Sequence, residues 1–194
     1  MKKIGSLFIL SIVCLTVAAQ TTAAPKPPSA DAAFTETLSK VVQDFTFNFV
    51  NIQGAKMPAE VDADSYQSKV CMPGALGCKV MRYRSVEDKS ASWQAAVYAG
   101  DSFEEALKSY KKTFGLVKKT AVKGIEAAAT GFDGKMDAVD ENVGFAVSSL
   151  RLKTKDKRYK NMVAEIEITS GYTGWEVHLN VYTKKIVEEK EEIQ

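Results

Sequence analysis

His178 is the only histidine in the chain, and three carboxylates, Glu165, Glu167 and Glu176, stand within reach of it in sequence. An imidazole that titrates near neutrality, set among carboxylates, has the chemistry to shuttle a proton or to ligate a metal ion. Whether these groups meet depends on strand register. Met162, Ala164, Ile166 and Ile168 alternate along one run, and Trp175, Val177, Leu179 and Val181 alternate along the next. If both rows are buried on one face, Glu165, Glu167, Glu176, His178, Asn180 and Tyr182 must share the other. The plainer account is a solvated sheet face, where alternating polar residues are ordinary. No second histidine exists to complete a zinc site of the usual kind, so no metal site and no cofactor are expected.

A second constellation is Cys71-Met72-Pro73-Gly74-Ala75-Leu76-Gly77-Cys78. Two cysteines flanked by strand-like residues and separated by a Pro-Gly turn suit a disulfide across a hairpin. Closing so short a loop is worth about 2.5 kcal/mol in the chain-entropy model, so it staples a hairpin more than it holds the protein together. A redox dithiol would prefer Cys-x-x-Cys at the start of a helix, where the dipole lowers the thiol pKa, and this spacing does not provide it. The loop is instead a candidate for recognition, with Met72, Pro73 and Leu76 on a pre-ordered turn that would lose little entropy on binding. The alternative is that Met72 and Leu76 fold back onto the sheet.

Other chemistry is weaker. Asp133-Gly134-Lys135-Met136-Asp137 with Asp140-Glu141-Asn142 collects oxygen ligands, but the spacing misses the EF-hand pattern. Gly134-Lys135 does not form a phosphate loop, because Ala129 stands where the first glycine belongs and Met136 where Ser or Thr should follow. Gly-x-Ser-x-Gly, His-Glu-x-x-His and Gly-x-Gly-x-x-Gly are absent from the sequence. Arg82, Tyr83, Arg84, Arg151, Lys153, Arg158 and Tyr159 mix basic and aromatic character, a combination that serves single-stranded nucleic acid or anionic glycans. Edge and loop charges that discourage strand aggregation explain them equally well.

The elements that must position these groups follow from periodicity. Phe34, Leu38, Val41, Val42 and Phe45 recur at helical spacing after Ser29 or Asp31 as N-cap. The following run, Phe47 to Gly54, shifts toward alternation, and Gly54 permits a turn. Strand-like segments cover 67–72, 78–84 and 91–99, the last alternating Trp93, Ala95, Val97 and Ala99. Ser102-Phe103-Glu104-Glu105 is a capping box opening a second helix whose stripe is Phe103, Ala106, Leu107, Tyr110 and Phe114, with Gly115 as a left-handed stop. Residues 121–142 show no sustained period and read as a long loop or as a missed strand near 123–128. Three strands follow, at 145–153, 162–169 and 175–183. The order predicts an α+β fold, an antiparallel sheet of about six or seven strands with two main helices packed on one face.

At the N-terminus, Lys2 and Lys3 precede an apolar run from Ile4 to Ala19 of about sixteen residues, too short to span a bilayer. This has the form of a cleaved signal peptide at 1–19, followed by an extended linker at 20–30 built on Pro25, Pro27 and Pro28. A single domain then occupies 31–185, with a charged tail at 186–194. Removing Lys2 and Lys3 from the 26 Lys and Arg leaves 24 against 24 Asp and Glu. That neutrality argues against nucleic acid as a partner. Periplasmic or secreted localisation, no transmembrane segment and a monomer are the resulting expectations.

The N-terminal helix running into Asn48-Phe49-Val50-Asn51-Ile52-Gln53-Gly54, followed by the cysteine-closed hairpin, resembles a group of small exported bacterial proteins with no assigned activity. The likeness covers the first half of the mature chain. It implies a bacterial envelope or extracellular setting and carries over no catalytic residue. The order of elements is also similar to that of β-lactamase-inhibitor-protein and TBP-like layouts, a likeness that bears on fold alone. The functional expectation is a non-catalytic binding module that contacts a protein or envelope component through the sheet face or the Cys71–Cys78 loop. The alternatives are a small-ligand carrier with a pocket between sheet and helices, or a hydrolase or metal-dependent enzyme using His178 and its glutamates.

Overall fold

The computed structural model describes residues 29–58, 63–85 and 89–184. The leader, most of the extended linker and the charged tail lie outside those residues. Helix α1 (Ala30–Phe45) starts where its cap predicts, with Ser29 Oγ accepting the Ala32 N–H at 3.3 Å. Phe34, Leu38, Val41 and Val42 are its buried face.

The chain then turns at Asn48 and Phe49, both in the left-handed region (φ 54° and 58°), and not at Gly54. Left-handed backbone costs an L-residue about 1–2 kcal/mol. Here it is offset by full burial of the Phe49 ring and by the Asn48 side chain, which donates to Lys89 O at 2.9 Å and accepts from Ala91 N at 2.6 Å. Gly54 belongs instead to strand β1 (Gln53–Lys56). A Cβ there would lie 2.7 Å from the Gln67 carbonyl oxygen, so close strand approach is what requires the glycine.

Strands β2 (Ala63–Ser68), β3 (Gly77–Tyr83) and β4 (Ala91–Gly100) form an antiparallel meander with β1. The first strand expected at 67–72 thus lies several residues earlier, and the Cys71–Cys78 loop takes the place of its second half. Helix α2 (Phe103–Lys119) is capped by Ser102 Oγ on the Glu105 N–H at 3.3 Å. It runs through Gly115 to an extended Thr120. The left-handed stop does not occur, because Leu116 and Val117 continue the apolar stripe for another turn and Val117 is fully buried.

Past the helix come β5 (Ala121–Val122), β6 (Thr130–Gly134), β7 (Phe145–Leu152), β8 (Met162–Gly171) and β9 (Gly174–Thr183). The strand missed in the 121–142 segment is therefore β6 and not 123–128. Among the described residues the sheet has nine strands in the order β1-β2-β3-β4-β9-β8-β7-β6-β5, more than the six or seven expected. The additional ones, β1, β5 and β6, span four, two and five residues, too few for an alternating pattern to register.

The α+β class, the antiparallel sheet and the two main helices on one face are as the sequence predicts. Helix α2 lies over β4, β6, β8 and β9, and α1 over β5 and β9. Between these layers sit Leu38, Trp93, Tyr110, Leu150, Ile166 and Leu179, all fully buried. Trp93 Nε1 donates to Ser68 Oγ at 3.0 Å. Tyr110 Oη and Ser148 Oγ meet at 2.5 Å, and Ser148 Oγ also accepts the Asp137 N–H at 2.8 Å, tying the loop after β6 to β7.

Candidate functional site

β8 and β9 bury the two apolar rows on one face, as expected, and their pairing selects Glu167 over Glu165 as the residue opposite His178. Ala164 faces Val181, Ile166 faces Leu179 and Ile168 faces Val177, while Glu165 faces Asn180 and Glu167 faces His178. The open face, away from the helices, therefore carries side chains in register across four strands. Met81, Ser92 and Tyr182 form one row, the last placed by Trp93 opposite Val181. Lys79, Gln94, Asn180 and Glu165 form the next, and Ala96, His178 and Glu167 the third.

One irregularity affects this grid. Ala96 faces His178 but Tyr98 faces Val177, so Val97 is a bulge residue. Beyond it the alternation inverts: Ala99 points to the open side opposite Glu176, and Tyr98 turns inward with its hydroxyl donating to Ser102 O at 3.1 Å. The single buried face expected for Trp93, Ala95, Val97 and Ala99 holds as far as Val97, which packs against the core beside Tyr98, and fails only at Ala99.

The four candidate polar residues have different roles. Glu165 is buried and fully partnered. It accepts from Ser149 Oγ at 2.5 Å, Tyr182 Oη at 2.6 Å and Lys184 Nζ at 2.8 Å. Burial pushes its carboxyl pKa up, but the Lys184, Ser149 and Tyr182 hydrogen bonds outweigh that and hold it below the ordinary carboxylate value. Tyr182 is pushed well up by burial and by the adjacent carboxylate. His178 Nε2 lies 3.6 Å from Glu176 Oε2. Burial lowers its pKa against the opposing pull of Glu176 and Glu167, with Lys79 lowering it further, which favours the neutral imidazole at neutral pH. Glu167 makes no hydrogen bond or ion pair among the described residues. No group of three or more His, Cys, Asp or Glu side chains among those residues is placed to hold a metal ion.

Two pockets open on this face. The first, of about 420 Å³, is lined by Ala55, Lys56 and Met57 together with Gln67, Cys78, Gln94, Ala96 and His178. β1 and β9 are separated in the sheet by β2, β3 and β4, so a pocket shared by Met57 and His178 requires the sheet to curl over its open side. The second, of about 320 Å³, is lined by Met81, Tyr83, Ser92, Gln94, Glu165, Glu167, Asn180 and Tyr182. Gln94 is common to both, and its amide donates to Asn180 Oδ1 at 2.9 Å. Ser92, only 4% exposed, has a buried Oγ with no hydrogen-bond partner among the described residues. Such an orphan costs about 1–3 kcal/mol. The sequence shows no sign of Ser92, Gln94 or the first pocket, since each depends on how distant strands meet.

The Cys71–Cys78 disulfide is formed. In its loop, Met72 is 4% exposed and packs among Phe34, Ser109, Lys112 and Leu116, whereas Leu76 is 67% exposed. Pro73 is exposed beside them. Only part of the candidate recognition loop is thus presented to solvent. The basic and aromatic residues do not form one patch. Arg82 binds Gln53 Oε1 and Asn48 O, Arg84 pairs with Asp64, and Arg158 pairs with Asp156. No helix among the described residues is long and apolar enough to cross a membrane. No family model, no curated protein and no solved structure matches this chain.

Proposed function

We propose that this protein is a non-catalytic binding module whose ligand lies on the open face of the sheet, and that it works in the bacterial periplasm or outside the cell. The observation that carries this reading is the pair of adjoining pockets joined at Gln94, on a face that no helix among the described residues covers. Pockets of this size that combine apolar walls with a few convergent polar groups are the usual form of small-ligand sites. The first pocket supplies Ala55, Met57 and Ala96 as apolar wall and His178 and Gln94 as polar contacts. The setting rests on the leader-like N-terminus and on the resemblance to small exported proteins. The carrier expectation placed its pocket between sheet and helices, whereas these two pockets lie on the opposite side of the sheet.

Ala96→Trp tests this directly. The indole would fill the first pocket from its floor without touching the helix layer. Protein drawn gently from its own cell envelope is expected to carry extra mass in native mass spectrometry, and the Trp variant to come through bare with an unchanged melting temperature. Equal loading of both proteins would remove the first pocket from the site. Leu76→Asp serves as the companion test of the disulfide loop: loss of partner capture there, with Ala96→Trp silent, would move the contact to the loop.

A second reading, a proton-transfer enzyme, draws on the contact between His178 and Glu176. It requires that His178→Ala abolish a measurable turnover while leaving the melting temperature intact.

A further inference from the structure

Resting on the reading that the open face binds a ligand, the geometry points to a saccharide as the ligand class of the second pocket, with Ser92, Gln94, Asn180 and Glu167 as its polar contacts and Tyr83 as its stacking surface. One N–H of Gln94 Nε2 goes to Asn180 Oδ1, which leaves its second N–H and Asn180 Nδ2 as donors and Gln94 Oε1 as an acceptor with no partner among the described residues. Ser92 Oγ can both donate and accept, is buried and has no partner among the described residues. Glu167 brings an acceptor-only carboxylate. The other carboxylate in the pocket, Glu165, is already engaged by Ser149, Tyr182 and Lys184.

A set that alternates donors with acceptors over one patch matches a ligand whose groups do both, and the hydroxyl is such a group. An ammonium compound only donates, and would leave Asn180 Nδ2 facing it unanswered. A carboxylate or phosphate would meet Glu165 and Glu167. An alkyl chain would bury two amides and a hydroxyl with nothing to bond, which costs rather than gains. A sugar also has an apolar C–H face, and Tyr83, half exposed at the rim beside Met81, offers a ring for it. Ser92 then has a use for its vacant hydroxyl: a sugar hydroxyl supplies the missing bond, and the group that is a liability in the free protein becomes a contact in the complex.

The test is an amide NMR titration of isotope-labelled protein with millimolar trisaccharides of β-linked glucose, β-linked N-acetylglucosamine and α-linked mannose. Spermidine and dodecanoate are titrated in parallel. Shifts at Ser92, Gln94 and Asn180 with at least one saccharide are expected, with affinity weakened about tenfold or more in Ser92→Ala and in Tyr83→Ala. Ser92→Ala should melt no lower than the parent, since it removes an unpaired buried hydroxyl, and a purely structural serine would not combine that result with lost affinity. Saccharide binding that Ser92→Ala and Tyr83→Ala leave untouched would overturn the assignment. If spermidine or dodecanoate moves these resonances and no saccharide does, the saccharide class falls while the binding face stands. If no probe moves them, the saccharide class also falls, and the binding face is then judged by the Ala96→Trp envelope experiment.

Discussion

Asp44 Oδ2 accepts the backbone N–H of Ile52 at 3.2 Å, and Oδ1 of the same carboxylate accepts Asn51 Nδ2 at 2.6 Å. One buried acid at the end of α1 thus organises the turn that carries the two left-handed residues and delivers the chain to β1. Asp44→Ala would leave the Ile52 N–H unpaired inside the protein, at a cost of about 2–3 kcal/mol. Urea denaturation should show the midpoint falling with an unchanged slope. An unaltered midpoint would mean that packing of Phe49 alone holds the turn.

The sequence made the second helix and the last two strands legible for a common reason: a local pattern agreed with the burial it received. Ser102 and Glu105 announced the start of α2, and the Met162-to-Ile168 and Trp175-to-Val181 rows fixed which residues share a face, with either Glu165 or Glu167 across from His178; the pairing is with Glu167. Three things were hidden. β5 is two residues long and β6 five, and both are held by their neighbours more than by propensity. The bulge at Val97 leaves no trace in composition. Ser92 and Gln94 lie in a strand whose other face, with Trp93 and Ala95, dominates its pattern, so their part in a pocket shows only once β3, β4 and β9 are side by side.

The disulfide should contribute modestly. Replacing both Cys71 and Cys78 by alanine is expected to lower unfolding stability by about 2.5 kcal/mol, the loop-closure value for so short a ring. Denaturant melts of the two forms measure it. The intact mass of unreduced protein, two hydrogens below the reduced mass, checks the bond itself. A loss far above that figure would show that the loop anchors Met72 as well as closing the ring.

Acid should weaken the protein partly through Glu165. Its carboxyl titrates lower in the folded chain than in the unfolded one, so the unfolded chain takes up the proton first as pH drops. The stabilisation is present above the ordinary carboxylate value of about 4.3 and is lost as pH falls through the folded value. Glu165→Gln should be less stable than the parent at neutral pH, with a flatter decline on the acid side. Parallel pH–stability curves for the two proteins would assign the acid limb elsewhere.

His178 should titrate below the ordinary imidazole value of about 6.5. Because it is the only histidine, its ring resonance can be followed without assignment ambiguity. The sign is that of a group buried neutral: its contribution to stability is present above about 6.5 and is lost as pH falls toward the folded pKa. A titration midpoint above the ordinary value would mean that Glu176 and Glu167 prevail over burial.

The strand order also governs when the protein can exist at all. β4 and β9 are neighbours at the middle of the sheet, yet the whole of α2 and four strands separate them along the chain. The two meanders can each form early, but the seam between them closes only when the final strand is available, and pairings between remote parts of a chain form slowly. A chain that lacked β9 would expose the edges of β4 and β8 together, each a template for another copy. β9, held between β4 and β8, is thus the fastening on which both halves of the sheet depend.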